Sequence, residues 1–91
     1  MINAIVLIHA KANRIPETAQ AVADIAGVSE VYSCAGDVDL IAIVKVRDHA
    51  QIAEVVTGAI NKVDGVEQTT THIAFRSYAS ADVEAAFSIG E

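Results

Sequence analysis

The stretch Val31-Tyr32-Ser33-Cys34-Ala35-Gly36-Asp37-Val38-Asp39-Leu40 holds the densest chemistry of this chain. Gly36 permits a tight backbone with free N–H groups, and Asp37 and Asp39 set two carboxylates beside them. Amide donors suit a carboxylate ligand, and carboxylates suit an ammonium group. Together they match the two ends of an amino acid. The same residues also make an ordinary hairpin turn, where Gly and Asp are common for backbone reasons alone. On residue types alone that plainer reading is the commoner one. Tyr32 is either hairpin packing or the wall of a cleft. A second group of side-chain oxygens is Thr69-Thr70-Thr71, and threonines are good strand formers, so by themselves they read as structural.

The remaining reactive side chains point elsewhere. His9 ends an apolar run and His72 sits in the last one, and each reads as a packed or edge histidine rather than a ligand. His49 follows a helix cap and reads as solvated. Histidine as a residue type changes charge near neutrality, which would let such positions tune assembly. Cys34 is the only cysteine, which excludes a disulfide within the chain and a Cys-rich metal site. It reads as a small apolar residue. No Ser-His-Asp or metal-ligand spacing appears, so no catalytic group, metal or cofactor is expected.

Twelve Asp plus Glu against six Lys plus Arg leave a net charge of −6. The cations Lys11, Arg14, Lys45, Arg47, Lys62 and Arg76 are scattered. Direct nucleic-acid binding needs clustered cations that displace counterions from phosphates, and none is expected here. The longest apolar runs, Ala4–Ile8 and Leu40–Val44, fall far short of the ~20 residues of a membrane span. The N-terminus shows no basic region and no cleavage signature, so the expected address is cytoplasmic.

These residues need elements to hold them. The 91 residues suit one domain over 1–91, and 53% hydrophobic residues are too many for disorder. Ile2–Ala10 is short, β-branched and apolar on both parities, which predicts a strand covered on both faces. Pro16 suits the first helical position, and Ile15, Ala19, Val22 and Ile25 recur at helical spacing until Gly27. Val28–Ala35 and Asp39–Val46 read as two strands joined through Gly36-Asp37-Val38. Asp48 and Gln51 form a capping box for a helix whose stripe is Ile52, Val56, Ala59 or Ile60, and Val63. Asp64-Gly65 closes it, and Val66–Arg76 is the fourth strand. The tail 80–91 holds a short capped helix over Ser80–Phe87 and a loose end.

The order is β-α-β-β-α-β. A shift of 38 places Ile2 on Leu40, Ile5 on Ile43, Val6 on Val44 and Gly27-Val28 on Gly65-Val66. Two copies of a split β-α-β unit make the α+β, ferredoxin-like fold: a four-stranded antiparallel sheet with both helices on one face. The other face is left open. Both parities of the central strands are apolar, and such a face seldom meets water, which predicts a sheet-to-sheet dimer.

Tyr-x-x-x-Gly-Asp-x-Asp before an apolar strand resembles the hairpin of the Lrp/AsnC sensing domain (RAM, regulation of amino acid metabolism). Gly65-Val66-x-x-Thr69-x-Thr71 is similar to that family's Gly-Val-x-x-Thr-x-Thr at the start of its last strand. The resemblance runs from Ile2 to about Phe75. It implies dimers assembled into a larger even-numbered ring, with an octamer as the expected size. It also implies an amino acid or related metabolite bound in the cleft between dimers. Gly36, Asp37 and Asp39, with Tyr32, would form one wall, and Thr69 and Thr71 would supply hydroxyls. The family often has Thr before the Gly, where this chain has Ala35. Full-length members carry a helix-turn-helix domain in front. Here the first strand starts at Ile2, which matches the stand-alone form, able to act through helix-turn-helix relatives in mixed rings. The expected role is an effector-sensing, non-enzymatic regulatory domain. The alternative is a small dimeric ferredoxin-like enzyme, a monooxygenase or isomerase recruiting His9, His72 and Asp39.

Overall fold

The computed structural model describes residues 1–80. Strands β1 (Ile2–Ala10), β2 (Val28–Ser33), β3 (Leu40–Val46) and β4 (Val66–Ala74) alternate with helices α1 (Ile15–Ala23) and α2 (His49–Val56) in the order β1-α1-β2-β3-α2-β4. The strands form one antiparallel sheet in the order β2-β3-β1-β4. This is the expected ferredoxin-like architecture. Among the described residues, no helix is long and apolar enough to cross a membrane.

Alternation sorts the strand residues onto two faces. Ala4, Val6 and Ile8 of β1 and Leu40, Ala42 and Val44 of β3 have no solvent exposure. They form one core with Val22 of α1 and with Ile52, Val55 and Val56 of α2. The opposite face carries Asn3, Ile5, Leu7 and His9 of β1 with Ile41, Ile43 and Lys45 of β3. Ile5 on that face is 38% exposed although it lies in a central strand.

Local chemistry explains most element ends. The Asp48–Gln51 capping box forms: the Gln51 N–H donates to Asp48 Oδ1 at 3.1 Å, and Gln51 Oε1 accepts from the Asp48 and Arg47 N–H groups at 3.3 and 2.7 Å. Gly27 and Gly65, matched by the 38-residue repeat, both adopt positive φ, +97° and +105°, just before β2 and β4. The two halves therefore share turn geometry as well as sequence pattern. At Gly65 an added Cβ would lie 2.2 Å from Thr18 Oγ1, so α1 approaches the start of β4 too closely for a side chain there.

Five boundaries differ from expectation. The first helix stops at Ala23 with Asp24 as its C-cap, so Ile25 lies beyond it rather than on its stripe. The second helix stops at Val56 instead of reaching Val63, and Ile60–Lys62 is a separate 3-10 turn. The break falls at Thr57-Gly58, where both N–H groups converge on the Ala53 carbonyl at 2.9 and 3.2 Å. Gly is a poor helix former, and the break still delivers Ile60 fully buried to the core. β2 ends at Ser33 rather than Ala35, β3 begins at Leu40 rather than Asp39, and β4 ends at Ala74 rather than Arg76. The first two are shortened because the hairpin opens into a loop, although Cys34 N–H still donates to the Asp39 carbonyl at 2.9 Å. β4 ends where its partner β1 runs out, at the Asn3–Ala74 pair. The tail helix expected over Ser80–Phe87 lies, beyond Ser80, outside the described residues.

Candidate functional site

The β2–β3 hairpin is the candidate site. Its strands end in the pair Ser33–Leu40, and the Cys34 N–H and Asp39 carbonyl close the loop. Within that loop, among the described residues, no hydrogen bond engages the N–H groups of Ala35, Gly36, Asp37 or Val38. Gly36 holds φ +139°, a conformation that favours glycine, and nothing lies within 4 Å of where its Cβ would be. Backbone preference, not crowding, therefore demands glycine here. The Asp37 side chain is exposed. The loop tip thus presents unengaged donors beside a carboxylate, a pairing that can hold a carboxylate and an ammonium group at once.

The two aspartates differ in role. Asp39 is half-buried, and its Oδ2 accepts from the Ala10 N–H at 2.9 Å. Its own N–H donates to the Ile8 carbonyl at 3.0 Å. Ala10 lies just past the irregularity where the β1–β4 register shifts, so Asp39 stitches the end of β1 to the start of β3. Its second oxygen remains for other partners.

Tyr32 pairs with Ile41 and lies on the open face of the sheet, 52% exposed. Its hydroxyl donates to Glu30 Oε2 at 2.6 Å. That hydrogen bond, and next the negative charge of the same carboxylate, raise the Tyr32 pKa above the usual tyrosine value. Glu30 was not singled out from sequence. The signal was there, since residues two apart on a strand share a face.

Thr69 and Thr71 lie on the helix-side face of β4. Row pairings Leu40–Ile8–Thr69 and Ala42–Val6–Thr71 put them two strands from β3, about 10 Å away at ~4.8 Å per strand. The fully buried Ile8 and Val6 stand between. The Thr69 hydroxyl donates to Asn61 Oδ1 at 2.7 Å. A single protomer therefore gathers Gly36, Asp37 and Asp39, holds Tyr32 on the other face, and keeps the threonines apart.

Two hollows lie at the opposite end of the sheet. The larger, about 340 Å³, is bounded by Ala26, Gly27, Lys45, Arg47, Gln51 and Glu54 among others. It is a shallow groove, and Gln51 already spends its side-chain oxygen on the capping box. The smaller, about 200 Å³, lies beside Asn3, Phe75 and Arg76. The larger also sets Lys45 and Arg47 beside Glu54; the hairpin differs in that its donors are backbone N–H groups fixed in a loop. Among the described residues, no three His, Cys, Asp or Glu side chains are placed to hold a metal ion.

Comparison with known proteins bears on this geometry. Residues 3–83 match the model of the Lrp/AsnC ligand binding domain. An uncharacterised HTH-type transcriptional regulator of Pyrococcus horikoshii is 35% identical over 72 residues, covering 79% of this chain and 48% of the regulator. The chain thus spans about half the length of that relative. The crystal structure of TTHA0845 from Thermus thermophilus superposes with a TM-score of 0.82 at 42% identity, over 88% of this chain and 100% of that one. The transcriptional regulator NMB0573 of Neisseria meningitidis, solved as an L-Met complex, shares the fold with a TM-score of 0.76 at 15% identity, over 87% of this chain and 53% of that one.

Proposed function

The chain belongs to the Lrp/AsnC ligand-binding domain family, and from that premise we propose that it is an effector-sensing, oligomerising module that takes a free amino acid or a close relative at the Gly36–Asp39 hairpin. The observation that carries this reading is the loop tip: unengaged N–H groups of residues 35–38 next to the exposed Asp37 carboxylate. The methionine complex of NMB0573 shows an amino acid bound by a protein of the same fold. The hairpin is exposed in one protomer, so a second wall has to come from a neighbour. A cleft between dimers supplies it, and there the Thr69 and Thr71 hydroxyls belong to the same assembly. The apolar open sheet face closes by pairing with a second copy, and dimers join into an even-numbered ring, an octamer in the simplest case. Helix-turn-helix relatives with this domain are the protein partners that fit such a ring, and the dispersed cations argue against duplex DNA as a direct ligand of this domain.

The test is a thermal-shift screen of amino acids and related metabolites, followed by calorimetry with any hit. A charge-assisted hydrogen bond contributes on the order of 1.5–3 kcal/mol. Asp37→Ala is therefore expected to weaken binding about ten- to a hundredfold at an unchanged melting temperature. If Asp37→Ala binds the hit as tightly as the parent, the hairpin is only a turn.

A further inference from the structure

Resting on the sheet-to-sheet dimer proposed above, we infer that its two-fold axis runs along the strands, so that β2 of one copy lies over β4 of the other and Glu30 of each copy faces His72 of its neighbour. The pairing registers carry the argument. On the open face two rows cross the whole sheet: Tyr32–Ile41–Leu7–Thr70 and Glu30–Ile43–Ile5–His72. Both are apolar in their two central positions and polar at their ends. The apolar centre thus lies midway between β3 and β1, where a two-fold axis must pass if the interface is to bury it in both copies.

Two in-plane axes meet that condition. An axis along the strands turns each row over onto its own reverse. Ile43 then meets Ile5, Tyr32 meets Thr70, and Glu30 meets His72. An axis across the strands sets β2 over β2, which gathers the Glu30 side chains along one edge and the His72 side chains along the other. Like charges across a contact are destabilising and unlike ones favourable, so the first arrangement wins.

The surroundings of both groups agree. Glu30 receives the Tyr32 hydroxyl, and Lys45 is its diagonal neighbour on β3, two residues along the same face from Ile43. His72 has Ile5 opposite it, Asn3 and Leu7 diagonally on β1, and Thr70 and Ala74 along β4. None of these is an acid, so among the described residues of its own chain the imidazole has no adjacent carboxylate on this face, and a second copy brings one. The contact is also a pH device. Histidine is the side-chain type whose charge changes within about pH 5–8. A charged imidazole over Glu30 tightens the dimer at the low end of that range, and the gain is lost as pH rises through it.

Single-cysteine chemistry tests the axis. In the full chain carrying Cys34→Ser, the double variant Glu30→Cys/His72→Cys should be captured as a covalent dimer by a short bismaleimide. Each single variant should not be, because its two copies of one site lie on opposite edges, roughly 18 Å apart for sheets ~10 Å apart and strands ~4.8 Å apart. If Glu30→Cys alone cross-links as readily as the double variant, the axis runs across the strands and the inference is overturned while the dimer stands. If no variant cross-links although light scattering shows a dimer, the interface is not this face. Sedimentation then reads the pH effect. The dimer dissociation constant should be roughly three- to thirtyfold higher at pH 8 than at pH 5.5, from two symmetric exposed pairs, and Glu30→Gln should flatten that ratio. A parent ratio of one overturns the Glu30–His72 contact.

Discussion

The two faces of this sheet are built from the same strands and nearly the same residue types, yet they end in different states. On the helix side, Ala4, Val6, Ile8, Leu40, Ala42 and Val44 are completely buried. On the other side, Ile5, Leu7, Ile41 and Ile43 keep part of their surface in solvent. Hydrophobicity does not distinguish them. What differs is which elements cover them: among the described residues, both helices pack on one side. Apolar area left on the other face is a driving force of about 25 cal/mol per Å² that the proposed association would use. One face stores the stability of the fold, and in the proposed dimer the other supplies the free energy of assembly.

Neighbouring residues of β1 give the sharpest way to break this comparison. Ile8→Ala should cost about 2–5 kcal/mol of unfolding free energy, as for other fully buried isoleucines, read by denaturant titration. Leu7→Lys should leave the unfolding of the monomer nearly unchanged and abolish the dimer in light scattering. A Leu7→Lys protein that stays dimeric would show that the open face is not the interface.

A backbone change comes next. Gly65→Ala should destabilise by upwards of about 1 kcal/mol, because its φ of +105° disfavours a side chain and the new Cβ would strike Thr18 Oγ1. Gly36→Ala should cost about 1 kcal/mol or less, since its surroundings are open and only the φ of +139° opposes it. Melting temperatures of the pair separate crowding from backbone preference.

The hairpin aspartates sharpen the same contrast between fold and function. Asp39→Ala removes the acceptor of the Ala10 N–H and should cost about 1–3 kcal/mol. Asp37→Ala should leave stability within about 0.5 kcal/mol, as expected of a surface position. Chemical denaturation of both variants checks this, and a stability loss at Asp37 would move that residue from the ligand's side to the fold's.

The smallest effect is spectroscopic. Glu30 holds the Tyr32 pKa above the usual tyrosine value, so the neutral phenol is the favoured form in the folded chain. The contribution is present below the ordinary tyrosine pKa and is lost as pH rises through the elevated one. In a Tyr78→Phe background, ultraviolet titration should show Tyr32 ionising late, and Glu30→Gln should bring it back toward the ordinary range. An unchanged titration in Glu30→Gln would mean the hydroxyl has another partner.

The sequence by itself determined the order of elements, the sheet, the Asp48 cap and the openness of one face. These follow from short-range rules: the periods of 2 and 3.6, side-chain oxygens near N–H groups, and glycine before each second strand. Even the repeat relating Gly27 to Gly65 was legible, because both turns need positive φ. Tertiary structure decided what depends on partners far along the chain. Asp39 looked like the equal of Asp37, and only the arrival of Ala10 from β1, 29 residues away, ties it to the fold. Tyr32 stood within the hairpin motif, but register with Ile41 turned it to the open face, against Glu30. Thr69 and Thr71 belonged to the same motif set, yet the buried Ile8 and Val6 of β1 separate them from the hairpin. Motif spacing counts residues along the chain, whereas strand register sets the distance across it, and register is decided by which apolar parity the helices cover.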